Sequence, residues 1–233
     1  MELIMPTQND AYGRFKDYDK IFVSLSSDIL FPPEIYYEID KYLVGTLLDI
    51  GTGDGAKLES ILKRCKSNKL GKIIAIDPSP LVKRAQDRLK NFPNVEVKNI
   101  SLEDFVSDLS FDVIFLFDVI EHTYRPNEVL SKISKMLKSN GTLIISTPNK
   151  PVYNFSEILF KHKLDPTHVN VMNFRKFKLL MQNYFYRIKF LGVLPLMKVG
   201  RRIPFFLKIH KYIAVPILFN NIICFARYPK KLL

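Results

Sequence analysis

Thr46-Leu-Leu-Asp-Ile-Gly-Thr-Gly-Asp-Gly55 carries an apolar run into a carboxylate and then into three glycines spaced two apart. The pattern is a β-strand delivering the chain into a ligand-binding turn. Gly51, Gly53 and Gly55 accept positive φ and, having no Cβ, let a ligand lie against the backbone, while the helix that opens next turns its first N–H groups to the same space. Leu58, Ile61, Leu62 and Cys65 fall at i, i+3, i+4 and i+7 and give that helix an apolar face. The spacing is G-x-G-x-G, whereas dinucleotide sites use G-x-G-x-x-G, and Asp49 just before the turn would repel a pyrophosphate. A cationic ligand suits it better. Lys72-Ile-Ile-Ala-Ile-Asp77 ends in a second acid 22 residues after Gly55, where open α/β sheets bind a ribose diol. Two acids and a glycine turn fit a nucleoside that bears an amino acid.

The rest of the chain repeats strand and helix signals. Pro32-Pro33 opens a helix toward Leu43 with Ile35, Ile39 and Tyr42 on one face, and Ser79-Pro80 reads as an N-cap with proline at N1. Asn94–Asn99 is a short strand, followed by Ser101 capping a helix that ends near Ser107. Phe111–Phe117 is nearly all apolar, as a central strand covered on both faces must be. Pro126 opens a helix carrying Val129, Leu130, Ile133, Met136 and Leu137, which Asn140-Gly141 is expected to end in a left-handed turn before the strand Thr142–Thr147. Asn173 caps a helix with Phe174, Phe177, Leu180 and Met181 inward, and Tyr184–Val193 is a strand. Strict alternation of strands and helices dictates a parallel, doubly wound α/β sheet with right-handed crossovers. Ligands then bind beyond the carboxyl ends of the strands, where Asp49, Asp77, Ser101 and Asp118 all fall.

Leu-Asp-Ile-Gly-Thr-Gly-Asp-Gly, Asp77 and Phe111-Asp-Val-Ile-Phe-Leu-Phe-Asp-Val-Ile-Glu-His122 together resemble the class I S-adenosylmethionine-dependent methyltransferases, in order and spacing. Asp118-Val-Ile-Glu-His122, Lys138-Ser-Asn-Gly141 and Ser146-Thr-Pro-Asn149 resemble the branch that contains the ubiquinone-biosynthesis O-methyltransferases. The resemblance spans roughly residues 30–190. It implies a Rossmann-like, mainly parallel seven-stranded sheet whose last strand, Asn221–Tyr228, is antiparallel. It also implies that Asp49, Gly51, Thr52, Gly53, Gly55, Asp77, Pro78, Ser101, Leu102, Phe117 and Asp118 bind S-adenosylmethionine, Ser101 near the adenine.

Methyl transfer from a sulfonium is an in-line displacement, so the protein mainly positions two reactants and removes a proton. Asp118 can face the sulfonium end of the cofactor, and His122, one turn later, is of the type that titrates near neutrality and serves as a general base. Asp118-x-x-Glu121-His122 with the distant His168 also resembles the E-x-x-E-H plus His arrangement of metal-dependent small-RNA 2′-O-methyltransferases, Asp replacing the first Glu. That likeness implies a divalent metal on Glu121, His122 and His168, able to acidify an acceptor hydroxyl.

The 233 residues suit one domain: a cap over 1–45, a core over 46–193, a basic amphipathic insert over 194–219 and a final strand and tail over 220–233. Cys65 and Cys224 are expected as unbridged thiols, and the opening residues contain no basic segment leading into an apolar run, so a cytoplasmic location is expected. The net charge of +12 is entirely C-terminal. After Asp165 come 13 Lys and Arg and no acid, whereas the residues up to that point carry 22 basic and 23 acidic groups. Within the insert, Lys198, Arg201, Arg202, Lys208 and Lys211 alternate with Phe205, Phe206, Tyr212 and other apolar residues. Such a segment suits the anionic inner surface of a membrane, and thus O-methylation of a small, lipid-linked, phenolic or glycan substrate. RNA is the alternative partner, its bases stacking on Phe205, Phe206 and Tyr212, and a pocket-lid role for the insert stands beside both. A cofactor-binding module without catalysis is disfavoured by the intact glycine turn and acids.

Overall fold

The computed structural model describes residues 31–66, 69–154, 167–195 and 219–231. The lid aromatics expected before residue 31 (Tyr12, Phe15, Tyr18 and Phe22, with Arg14) and most of the basic insert lie outside the described residues. In chain order the elements are α1 (Pro33–Asp40), β1 (Gly45–Ile50), α2 (Ala56–Arg64), β2 (Leu70–Ile76), α3 (Val82–Leu89), β3 (Val95–Lys98), β4 (Phe111–Phe117), α4 (Pro126–Met136), β5 (Leu137–Pro148), α5 (Phe174–Tyr184), β6 (Phe185–Pro195) and β7 (Phe219–Pro229). The strands form one seven-stranded sheet in the order β3-β2-β1-β4-β5-β7-β6. The first five are parallel, and β7 lies antiparallel to both β5 and β6.

Alternation along the central strands sends side chains into two separate cores. Leu47, Val113, Phe115, Ile73 and Ile144 pack with Ile35 and Ile39 of α1, Leu58 and Ile61 of α2 and Ala85 of α3. Leu48, Ile114, Leu116, Ile74 and Ile145 face the opposite side and meet Leu130 and Ile133 of α4 and Phe177 and Met181 of α5. Phe111, Phe115, Leu47, Leu48 and Ile73 are fully buried, each worth roughly 1.5–3 kcal/mol of apolar burial. With both faces spent on packing, the open ends of the strands are left for a ligand. β1 and β4 are neighbours whose connections leave toward opposite edges, so the crevice at this switch point lies beyond Ile50 and Phe117.

Three local expectations are corrected. Asn140-Gly141 does not end α4: the helix stops at Leu137 in extended geometry and passes straight into β5, and Gly141 is absent from the positive-φ glycines. The irregular register between Phe111↔Leu137 and Val113↔Thr142 absorbs residues 138–141 instead. Ser79 does not cap α3, which begins at Val82 after a turn in which Val82 N–H donates to the Ser79 carbonyl. Residues 101–107 form turns and no helix, because the Ser101 hydroxyl and Asp104 close on one another locally. Asn173 does cap α5, its Oδ1 accepting from Lys176 N–H at 2.8 Å. Cys65 and Cys224 are unbridged.

Candidate active site

The glycine turn is built as the spacing requires. Gly51, Gly53 and Gly55 have φ of 74°, 58° and 79°, and both Gly51 and Thr52 N–H donate to the Ile76 carbonyl, tying the turn to the end of β2. The three glycines serve different ends. A Cβ on Gly51 would strike Val119 Cγ2, and one on Gly55 would press on the Ala85 backbone at 3.1 Å and on Leu89, so those two are packing requirements. A Cβ on Gly53 would meet nothing within 4 Å, which leaves open space over the turn. Asp54 is locked by Arg88 of α3, whose Nε donates to the Asp54 carbonyl and whose Nη2 pairs with Oδ2, both at 3.0 Å.

Asp49 and Asp77 sit at the ends of β1 and β2 and are almost completely buried. Burial pushes the Asp49 carboxyl up to about 6, against opposing pulls from the Thr52 hydroxyl and from nearby Lys57. Burial also raises Asp77, whose Oδ2 accepts from Gly53 N–H and Oδ1 from Ser79 N–H, both at 2.8 Å. The buried hydroxyls of Thr52 and Ser79 lie against the Asp49 and Asp77 carboxyls and help to offset the burial of those acids, though neither makes a hydrogen bond of good geometry among the described residues. Two buried acids with hydroxyls beside them and a turn open over Gly53 fit the adenosyl and amino-acid groups of S-adenosylmethionine. Pro78 is exposed beside Asp77, Leu102 belongs to the core, and the Ser101 hydroxyl donates to Asp104 Oδ2 at 2.8 Å. Phe117 is buried against Phe115 and Phe31.

Beyond β4 the chain turns at Asp118, which has φ of 55°, a region that Asp tolerates better than most residues. Its Oδ1 accepts from Ser146 Oγ at 2.7 Å, and its Oδ2 pairs with the Lys57 ammonium. Burial alone would raise the Asp118 carboxyl; Lys57, Ser146 and His122 outweigh it and hold it below the ordinary range. Lys57 and Ser146 were not among the expected site residues. Ser146 was quoted only as part of a motif, and Lys57 carries a signal that could have been used: it is a cation in the first turn of α2, where the helix dipole favours anions.

Glu121 and His122 lie on one turn of 3-10 helix, Ile120–His122. Glu121 is fully buried, with the Thr147 hydroxyl beside its carboxyl but no hydrogen bond of good geometry to it among the described residues. Burial, together with the Asp118 charge, raises its carboxyl well above the usual range. The segment after residue 166 returns over this edge. Asn170 N–H donates to the Glu121 carbonyl at 2.8 Å, the Thr167 carbonyl lies 3.1 Å from His122 Nδ1, and the His168 ring meets that of His122 edge-on at 4.6 Å. One ligand atom from each of Glu121, His122 and His168 comes within 4.8 Å of the others. Asp118, expected to join them, is instead engaged by Lys57 and Ser146.

The family of methyltransferase domains matches residues 28–188. A mitochondrial ubiquinone biosynthesis O-methyltransferase of Schizosaccharomyces pombe is 28% identical over 159 residues, covering 65% of this chain and 56% of that one. A tRNA U34 carboxymethyltransferase of Helicobacter hepaticus is 33% identical over 109 residues, 43% of this chain and 34% of that one. The chain therefore spans about half or less of the length of these two curated relatives. The N-methyltransferase NodS of Bradyrhizobium japonicum, solved with S-adenosyl-L-homocysteine, has the same fold with a TM-score of 0.61 at 15% identity, over 97% of this chain and 100% of that one. The chain belongs to the methyltransferase domain family, and its fold is that of the class I methyltransferases.

Proposed function

We propose that the protein transfers the methyl group of S-adenosylmethionine to a hydroxyl oxygen of a small-molecule acceptor, with His122 as general base. The observation that carries this reading is the orientation of His122 beside Asp118. With Nδ1 set against the Thr167 carbonyl at 3.1 Å, the proton belongs on Nδ1, and Nε2 is the basic nitrogen. A base held in one tautomer by a backbone carbonyl is suited to deprotonating a hydroxyl as the sulfonium carbon is attacked. The likeness to a ubiquinone biosynthesis O-methyltransferase supports oxygen as the methylated atom and a phenolic ring as the first acceptor to try. Glycan hydroxyls and lipid-linked phenols belong in the same panel.

A metal-assisted form of the same reaction is favoured by one further observation, the meeting of Glu121, His122 and His168 with the Glu121 carboxylate fully buried. A divalent ion there would acidify a coordinated acceptor hydroxyl. Methyl transfer to a panel of catechols, other phenols and sugars, and in parallel to RNA, is measured with labelled cofactor before and after EDTA. The base reading expects product on a small hydroxyl acceptor, unaffected by EDTA and lost by about 100-fold or more in H122A. Loss to EDTA with recovery on adding a divalent ion, and insensitivity of E121Q to that ion, replaces it with the metal form. Methylation of RNA alone overturns the small-molecule reading.

A further inference from the structure

The ion pair between Lys57 and Asp118 lies in the cofactor crevice, and its arrangement follows from the order of the strands. β3, β2, β1 and β4 are consecutive neighbours, so a nucleoside held by Asp77 at the end of β2 extends past the glycine turn of β1 and brings its far end to Asp118 at the end of β4. This rests on the cofactor reading of the crevice. In S-adenosylmethionine that far end is an amino acid, with an α-ammonium, an α-carboxylate and the sulfonium close by.

The groups nearest that end, two carboxylates and one ammonium, are complementary in sign to that set. Asp49 and Asp118 are carboxylates at the ends of the adjacent strands β1 and β4. Lys57 is paired directly with Asp118 and acts electrostatically on Asp49 and on Glu121. About a quarter of each side chain of the Lys57–Asp118 pair remains exposed, so the pair is reachable from the crevice. Lys57 also occupies the first turn of a helix whose N-terminus disfavours cations, a placement that Asp118 compensates. Among the described residues the buried face of α2 is provided by Leu58, Ser60 and Ile61, and Lys57 lies outside it.

We infer that the Lys57–Asp118 pair holds the place of the cofactor's amino-acid zwitterion. On binding, the α-ammonium takes over the Asp118 carboxylate and Lys57 swings to the α-carboxylate, so that one ion pair is exchanged for two. No bond is made or broken, the amino-acid zwitterion adds no net charge, and the sulfonium brings the one additional positive charge. Lys57 thereby sets selectivity for a cofactor that retains its carboxylate.

The test is calorimetric binding of three ligands to wild type, K57M and K57R. S-adenosylhomocysteine carries both charges of the amino acid, its decarboxylated form carries only the ammonium, and 5′-methylthioadenosine carries neither. The expected result is that K57M loses about 10- to 100-fold in affinity for S-adenosylhomocysteine. The decarboxylated form and methylthioadenosine should bind it within about twofold of wild type, and K57R should restore most of the discrimination. Equal loss for all three ligands, or an unchanged affinity of K57M for S-adenosylhomocysteine, overturns the inference. Wild type that binds methylthioadenosine but makes no distinction between the two homocysteine forms overturns it while sparing the cofactor site. Wild type that binds none of the three removes the cofactor reading and the inference with it.

Discussion

Asp49 is a carboxylate kept where its charge is costly, which ties stability to cofactor recognition at a single residue. Its carboxyl, ordinarily near 3.8, is pushed up to about 6 by burial, so the folded protein holds this proton more tightly than the unfolded chain. Stability from this group is therefore greatest below about pH 4 and falls as pH rises toward 6, by roughly 3 kcal/mol in all. D49N should remove that loss. We expect its melting temperature to exceed that of wild type at pH 7 and to converge with it near pH 4, when both are followed by circular dichroism. The same variant should bind S-adenosylhomocysteine more weakly at pH 7, because the amide offers no charge to an ammonium. A D49N protein no more stable than wild type at pH 7 would show that Asp49 is not held at such a cost.

The turn from β1 into α2 separates two uses of glycine that look alike in sequence. Gly55, with φ of 79°, lies against the Ala85 backbone and Leu89 of α3, whereas Gly53, with φ of 58°, faces open space. G55A therefore combines left-handed strain with a contact that α3 must yield to, and should cost about 1–3 kcal/mol. In a chain of this length that lowers the melting temperature by several degrees. G53A bears only the conformational cost, about 1–2 kcal/mol, and should lose cofactor affinity by more than that cost explains. Thermal melts and calorimetric titration of the two variants should thus rank them in opposite orders. The same ranking in both assays would mean that Gly53 is a folding requirement like Gly55. The glycine spacing was legible in the sequence, but this division of labour was not, since it depends on α3, about thirty residues downstream.

For the molecule as a whole, the uneven charge is the property with the longest reach. Among the described residues of the acid-free C-terminal third, Arg175, Lys176, Lys178, Arg187 and Lys189 are exposed on α5 and β6, together with Leu179 and Tyr186. No helix among the described residues is long and apolar enough to cross a membrane. We propose an anionic partner surface for this third of the chain, with an anionic membrane as the first choice. Co-sedimentation with vesicles containing acidic lipid should exceed that with neutral vesicles and weaken as salt rises. Replacing Lys198, Arg201, Arg202, Lys208 and Lys211 with serine should abolish most of the difference. An RNA gel shift that survives physiological salt while vesicle binding does not would assign the surface to RNA, and absence of both would leave the charge a solubilising one.

Periodicity and spacing alone determined the five parallel strands of the doubly wound sheet, the glycine turn, the acids at the ends of β1, β2 and β4 and the cap on α5, because each is written in residues close along the chain; the antiparallel β7 was expected from the family resemblance. The end of α4 was misjudged because Asn140-Gly141 is a strong local turn signal, and pairing of β5 with β4 and β7 overrode it. Only the tertiary structure decided which side chains answer one another across the crevice. Lys57 and Asp118 are 61 positions apart, Ser146 and Asp118 are 28, and His122 meets the Thr167 carbonyl over 45. No local pattern encodes such pairs. They exist because strands distant in sequence end side by side, and burial at those ends makes each charge or polar group dependent on whatever the neighbouring strand supplies.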